Sequence, residues 1–425
     1  MGWGISAQAR RELLERTGSL VSDASEFEPD VIILDANTQI RFAAAGDRDL
    51  CARFVADNFV SNAFGGRDNP QDKTLVILFD NKARMHVVRK HVQRARLNIL
   101  TPEMQEKAVL AGKTIVCDRA FKPGTEPYDE ATLCSAMETL DLEAPFRWNR
   151  LLNCSKGKHL AFSLLVKAIK RNVQGKIRPD GFRVLLWYAE DEPYMFPNNW
   201  PLDLVSAVTN NRYGEADERV LEAVFAFQTF FSAKDLNILV KTIDTDMLIQ
   251  LLVAPIENRG RIFVTFKNET VDALCWRNFF GACDNDRASR ALLFTFASGC
   301  DYNAGLAQFG YLNKTLIDAA TASSVPECVR IDRDMDTCAV DIGVLASIIK
   351  TLPRRNKRKK PIEFTSELEN AAFTVAYFSG CKKLKGGPDL ASAESTVTQK
   401  SKDDRTSQFR AFLNLANHPV EPLLF

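Results

Sequence analysis

The chain has 425 residues, enough for one enlarged domain or two smaller ones with a sizeable core. Its 55 Lys and Arg against 54 Asp and Glu leave a net charge of +1, which excludes a global field drawing it to nucleic acid or membrane, so any such affinity comes from local patches. The N-terminus lacks a basic-then-apolar signal pattern, and apolar runs such as NAAFTVAYF (370–378) fall short of the ~20 residues that span a bilayer. Met1-Gly2-Trp3-Gly4-Ile5-Ser6 formally fits the myristoylation pattern, but one acyl chain needs a basic partner patch to anchor a protein stably. The 10 cysteines and 4 histidines show no CxxC pair and no zinc-ligand spacing. Taken together these features predict an intracellular monomer with reduced thiols and no membrane attachment.

In chain order, DVIILD (30–35) is a short β-branched apolar run ending in Asp35, and KTLVILFD (73–80) repeats the design, ending in Asp80. FRVLLWYAEDE (182–192) and LNILVKTIDTD (236–246) end in acids again, and RIFVTF (261–266) is a fifth strand candidate without them. Continuous apolar runs of this length suit strands buried on both faces. Between them lie helical patterns at 48–60, 83–97, 215–231 and 269–280, and strand alternating with helix predicts a mostly parallel α/β sheet flanked by helices.

The spacing is uneven. From about Leu100 to Pro179 the chain reads helical and polar, with basic segments KGKH (156–159) and KAIKRNVQGKIR (167–178). The expected organisation is a core over 1–99 and 181–300, interrupted by a helical insertion over 100–180. A helical region follows over 301–350, then a basic and partly flexible tail over 351–425. The tail opens with PRRNKRKK (353–360), which reads equally as a nuclear import signal, a phosphate contact or a solvated loop.

In open parallel sheets ligands bind beyond the carboxyl ends of the strands, where Asp35, Asp80, Asp244 and Asp246 all fall. Gathered carboxylates repel one another and take up protons unless a cation neutralises them, and an all-oxygen set selects a hard ion, Mg²⁺ or Mn²⁺. The competing reading is that each aspartate caps the helix that follows it. Glu215, Asp217 and Glu218 stand at the start of a predicted helix, where acids also suit the positive end of the helix dipole.

These residues carry a resemblance to the flap endonuclease family of 5′ nucleases, whose core is a PIN-like α/β domain. DVIILDAN matches the family's first acidic strand at Asp35, and LVILFDN its second at Asp80, with Asn81 in place of a glycine. GEAD matches the acidic helix start at Glu215 and Asp217, DTD the DxD at Asp244 and Asp246, and ASGCDYNAG the CDY motif at Asp301. The resemblance covers about residues 1–320, in short blocks. It implies that the seven carboxylates hold two Mg²⁺ ions, with Mn²⁺ as the substitute, for hydrolysis of DNA at junctions of single strand and duplex in replication, recombination or repair. Asp244, Asp246 and Asp301 would serve one ion; Asp35, Asp80, Glu215 and Asp217 the other.

Further roles follow from the same resemblance. The helix after Asp80 corresponds to a gateway whose basic residues touch the scissile phosphate. Arg94 matches one such position, the other is Arg84 or Arg89, and Lys90 shares a face with Arg94. The 100–180 insertion corresponds to an arch for a single strand, to which Phe121, Phe146 and Trp148 would contribute stacking if they are not core. Gly2 lies near the metal site in relatives. Gly305 and Gly310 match a helix-hairpin-helix that grips duplex, but Gln308 replaces a glycine there and Lys314 an alanine. No sliding-clamp motif follows Gln408. This divergence admits a second substrate, messenger RNA cut by a viral host-shutoff endonuclease of the same superfamily, and a source in a large DNA virus. The expected location is the nucleus or a viral replication site, with the cytoplasm as the alternative.

Overall fold

The computed structural model describes residues 6–22, 27–64 apart from 45 and 47, 73–80, 102–175 apart from 117–118, and 182–209 apart from 189–191. It continues over 216–298 apart from 267–268, and in the C-terminal third describes 300, 325–341 and short stretches between 318 and 384. The fold is α/β, with a mostly parallel, mixed eight-stranded sheet flanked by helices.

The chain divides into two compact units. One holds Asp30–Phe79 and Gln93–Pro201, the other Met1–Pro29, Asp80–Val92 and Leu202–Phe425. In the first, β2 (Val31–Asp35), β3 (Thr74–Leu78) and β6 (Arg183–Trp187) run parallel, and β7 (Tyr194–Phe196) adds antiparallel to β6. All five residues of β2 are buried, as are four of five in β3 and in β6, so the continuous apolar runs are two-sided core strands as expected. Burying each such Val, Ile or Leu stabilises by roughly 1.5–3 kcal/mol.

The helices of this unit are α2 (Ala36–Ala43), α3 (Ala52–Ala63), α4 (Pro102–Leu110), α5 (Glu130–Thr139), α6 (Trp148–Leu151) and α7 (Ser155–Gly175). Between α4 and α5 lies an antiparallel ribbon, β4 (Thr114–Val116) with β5 (Arg119–Phe121). The 100–180 segment therefore shares a unit with three core strands. Its longest helix, α7, packs on α3 and buries Leu160, Ala161, Leu165, Ala168 and Ile169 completely. Trp148 is core as well, 1 % exposed, with its indole N–H donating to the Leu50 carbonyl at 2.9 Å. Phe121 is buried and Phe146 packs edge-on against Tyr128. For Trp148 and Phe121 the structure decides for packing over an open channel.

In the second unit, α1 (Ala7–Arg16) precedes β1 (Leu20–Val21), which pairs antiparallel with β10 (Glu269–Asp272); β10 pairs antiparallel with β9 (Arg261–Phe266), and β9 parallel with β8 (Asn237–Thr242). Contrary to the two-sided expectation, β8 alternates, with Ile238, Val240 and Thr242 buried and the residues between them half-exposed. Gly260, at φ +68°, makes the turn into β9; a Cβ there would lie 2.3 Å from the Leu236 carbonyl oxygen. The helices are α8 (Leu202–Val208), α9 (Ala216–Phe230), α10 (Met247–Val253), α11 (Ala273–Phe279) and α12 (Asp284–Ser298).

Two sequence expectations are corrected here. The helix expected over 269–280 begins only at Ala273, because Glu269–Asp272 pair with β9 and Asp272 caps α11, accepting the N–H groups of Leu274 and Cys275. After Cys300 the chain is not uniformly helical: β11 (Val329–Asp332) and β12 (Thr337–Val340) form a hairpin, joined by β13 (Lys383–Leu384). The hairpin-helix match at Gly305, Gly310 and Lys314 lies outside the described residues, as does the predicted helix at 83–97.

Candidate metal and phosphodiester site

Register fixes where the first acids fall. Asp35 pairs with Leu78 and Leu78 with Trp187, so Asp35 ends its strand level with the ends of the two parallel neighbours. It is 3 % exposed. Its Oδ1 accepts the Thr38 N–H at 3.3 Å, and its carbonyl accepts the Thr38 hydroxyl at 3.0 Å, which makes it the N-cap of α2. The capping reading is thus realised at Asp35.

Asp80 follows β3 by two residues and is half-buried. Its Oδ1 accepts the N–H of Ala216, the first residue of α9, at 2.9 Å. That one bond, spanning 136 positions, brings the start of α9 to Asp80. Arg219, three residues further along α9, is 1 % exposed, a buried cation that the sequence reading did not single out.

The DTD acids follow β8 directly. Asp244 is 7 % exposed and Asp246 fully buried. The Asp244 N–H donates to the Thr242 hydroxyl at 3.0 Å, and Asp244 Oδ1 accepts the Asp246 N–H at 3.0 Å, which curls the chain into a tight turn. Asp246 stands at the N-cap of α10, where its carbonyl accepts from Ile249 at 2.9 Å and Gln250 at 3.0 Å, while its side chain makes no capping bond. The turn therefore holds two carboxylates one residue apart in buried surroundings.

Other predicted positions are not placed. Glu215, Asp301, Arg84, Arg89, Lys90, Arg94 and Gly2 lie outside the described residues, and Asp217 is described only as part of α9. Among the described residues no three potential ligands gather into one group. No helix among them is long and apolar enough to cross a membrane.

A further titratable pair stands at the carboxyl edge of the first unit's strands. The Tyr188 hydroxyl and His159 Nδ1 share a hydrogen bond of 2.6 Å, with Tyr188 immediately after β6 and His159 in the second turn of α7. The ring of Phe79 packs against Tyr188 and Phe162, which fixes that edge. The only sequence signal was the basic KGKH run; its partner tyrosine is 29 residues away. No protein-family model matches the chain, and no curated protein matches it in sequence.

Proposed function

We propose that the chain is a divalent-metal-dependent nuclease of the flap endonuclease type, hydrolysing phosphodiester bonds of DNA at single-strand/duplex junctions. The reading rests on the ordered sequence blocks, and the observation that supports it most is the Asp80–Ala216 bond. It ties the acid after β3 to the GEAD helix start, two blocks the sequence keeps far apart. The cap at Ala216 thus comes from another of the acidic blocks, which the proposed site would bring together.

The donor chemistry fits Mg²⁺ or Mn²⁺: carboxylates alone, at strand and helix ends, two of them buried in one turn. When bound, such ions supply an activated water at neutral pH and Lewis-acid stabilisation of the leaving oxygen, so no protein nucleophile is required. Asp244 and Asp246, with Asp301, are the proposed ligands of one ion; Asp35, Asp80, Glu215 and Asp217 support the second. The Thr242 and Asp244 contacts hold the DTD turn in shape before any ion arrives. Arg94, Lys90 and either Arg84 or Arg89 would neutralise the scissile phosphate, leaving 5′-phosphate and 3′-hydroxyl ends.

The test is cleavage of labelled 5′-flap DNA, nicked duplex and single-stranded RNA in Mg²⁺ by wild type and the Asp244→Asn/Asp246→Asn double variant. Flap cleavage by wild type alone supports the reading. Equal cleavage by both proteins overturns the site, and cleavage confined to RNA moves the substrate to mRNA.

A further inference from the structure

Tyr188 leaves the sheet at the same edge as Asp35. Asp35 is level with Leu78 and Leu78 with Trp187, so the residue after Trp187 lies beyond the carboxyl ends of the parallel strands, two strand spacings, or about 10 Å, from β2. Ligands of open parallel sheets bind there. Tyr188 is 7 % exposed, its ring packs edge-on against Phe79 and Phe162, and its hydroxyl shares the 2.6 Å hydrogen bond with Nδ1 of half-buried His159. His159 and Phe162 stand three residues apart on one face of α7, so the clamp that fixes Tyr188 also fixes the imidazole.

We propose that His159 binds a phosphate oxygen of the nucleic-acid strand beside the scissile bond, through its Nε2–H, with Tyr188 as the positioning residue. The inference rests on the nuclease reading and adds a substrate contact to its strand edge. A buried hydroxyl needs a partner, and a phenol that donates to Nδ1 leaves the ring's proton on Nε2. The imidazole is thereby committed to one donor in one orientation.

The surroundings suit an anion. The helix α7 carries four lysines, one arginine and no acid, in a chain whose charges sum to +1. Lys156 and Lys158 stand in its first turn, where the helix end adds positive potential. Of the neighbours packed on α7, Glu130 on α5 takes Lys156 at 2.9 Å, and Asp57 on α3 takes Asn172 near the far end at 3.0 Å. A donor flanked by ammonium groups matches a phosphate oxygen, the group that carries the strand's charge and most of its protein hydrogen bonds.

The experiment uses the full chain in metal-free buffer, where binding is read without cleavage. Long-range proton–nitrogen spectra of the 4 histidines, with His159 assigned by its loss in His159→Gln, should show it as the Nε2–H tautomer. Titration with 5′-flap DNA or single-stranded RNA should shift that Nε2 resonance. Affinity for the same ligands, read by fluorescence anisotropy, should fall about 10-fold in His159→Leu, the size of a lost hydrogen bond to a charged group. His159→Gln keeps an N–H donor at the Nε2 position and should recover most of it. Tyr188→Phe keeps the ring packing, and should weaken binding about 3-fold while dividing His159 between its two tautomers. A shift by RNA alone keeps the contact and moves the substrate to RNA. An Nδ1–H tautomer in wild type, or an Nε2 resonance indifferent to nucleic acid with His159→Leu at full affinity while wild type binds and cleaves, would overturn the contact alone. A wild type that neither binds these ligands nor cleaves them in Mg²⁺ would overturn the nuclease reading and the contact together.

Discussion

Asp284 and the Asp244–Asp246 turn belong to the same compact unit, but their surroundings differ in kind. Asp284, at the start of α12, faces two guanidinium groups, Arg287 one turn along the same helix and Arg333 from the β11–β12 hairpin. Arg287 bonds its Oδ1, and Arg333 bonds its Oδ2 through Nε at 3.0 Å and Nη2 at 2.9 Å. Arg333 also donates to the carbonyls of Ser379 and Val253, so one carboxylate fastens the β11–β12 hairpin to the helical core. Burial works against its ionisation, yet Arg333 and Arg287 hold its pKa below the usual carboxylate range. Asp244 and Asp246 are more deeply buried, and the bonds that shape their turn are local, to Thr242 and to each other. An acid matched by guanidinium groups serves the fold; on the proposed reading, the two acids of the DTD turn hold a cation from outside.

The comparison can be broken in several ways. The largest expected effect is on chemistry: Asp244→Asn/Asp246→Asn should lower Mg²⁺-dependent cleavage by about 10³-fold, since metal ligands supply several kcal/mol of transition-state stabilisation at 1.36 kcal/mol per decade. Single-turnover assays measure it. Next comes stability at the matched site. Asp284→Ala should cost about 2–3 kcal/mol in urea denaturation, less than a fully buried pair loses, because the Asp284 and Arg333 side chains are about a third exposed. At pH the sign is fixed: with its folded pKa depressed, Asp284 stabilises above its unfolded value near 4, and the contribution disappears as pH falls through the folded pKa. The acid limb of the wild-type stability curve should therefore flatten in Asp284→Asn.

Smaller effects sharpen the contrast. Mg²⁺ at about 100 times its Kd should stabilise wild type by about 2.7 kcal/mol in thermal melts and leave Asp244→Asn/Asp246→Asn unchanged. In metal-free buffer, Asp246→Asn alone should change stability by no more than about 0.5 kcal/mol, because it keeps the side-chain volume and the backbone carbonyl that accepts from Ile249 and Gln250. A loss there comparable to that of Asp284→Ala would place both acids in the same structural class.

Much of this was legible in the sequence where local pattern and burial agree. The five apolar runs became β2, β3, β6, β8 and β9, and RIFVTF starts and stops where β9 does. The edge strands were not legible. β1 has two residues and β7 three, and Glu269–Asp272 run straight into a helical pattern, so pairing with β9 rather than propensity decides their state. The acids at the ends of β2 and β8 were visible from their position after apolar runs. That Asp35 caps α2 and Asp80 caps α9 was not separable from a ligand role, since both uses call for the same residue at the same place. Long-range pairings lay furthest from view: Asp284 meets Arg333 across 49 residues and His159 meets Tyr188 across 29, and no periodicity encodes either.

The central claim, that the DTD turn holds a divalent cation, is tested most directly by Mn²⁺ binding, followed by electron paramagnetic resonance of free Mn²⁺ in titrations of wild type and Asp244→Asn/Asp246→Asn. Two saturable sites in wild type, with at least one lost in the variant while its circular dichroism is unchanged, is the predicted result. Identical Mn²⁺ binding by the two proteins would contradict it.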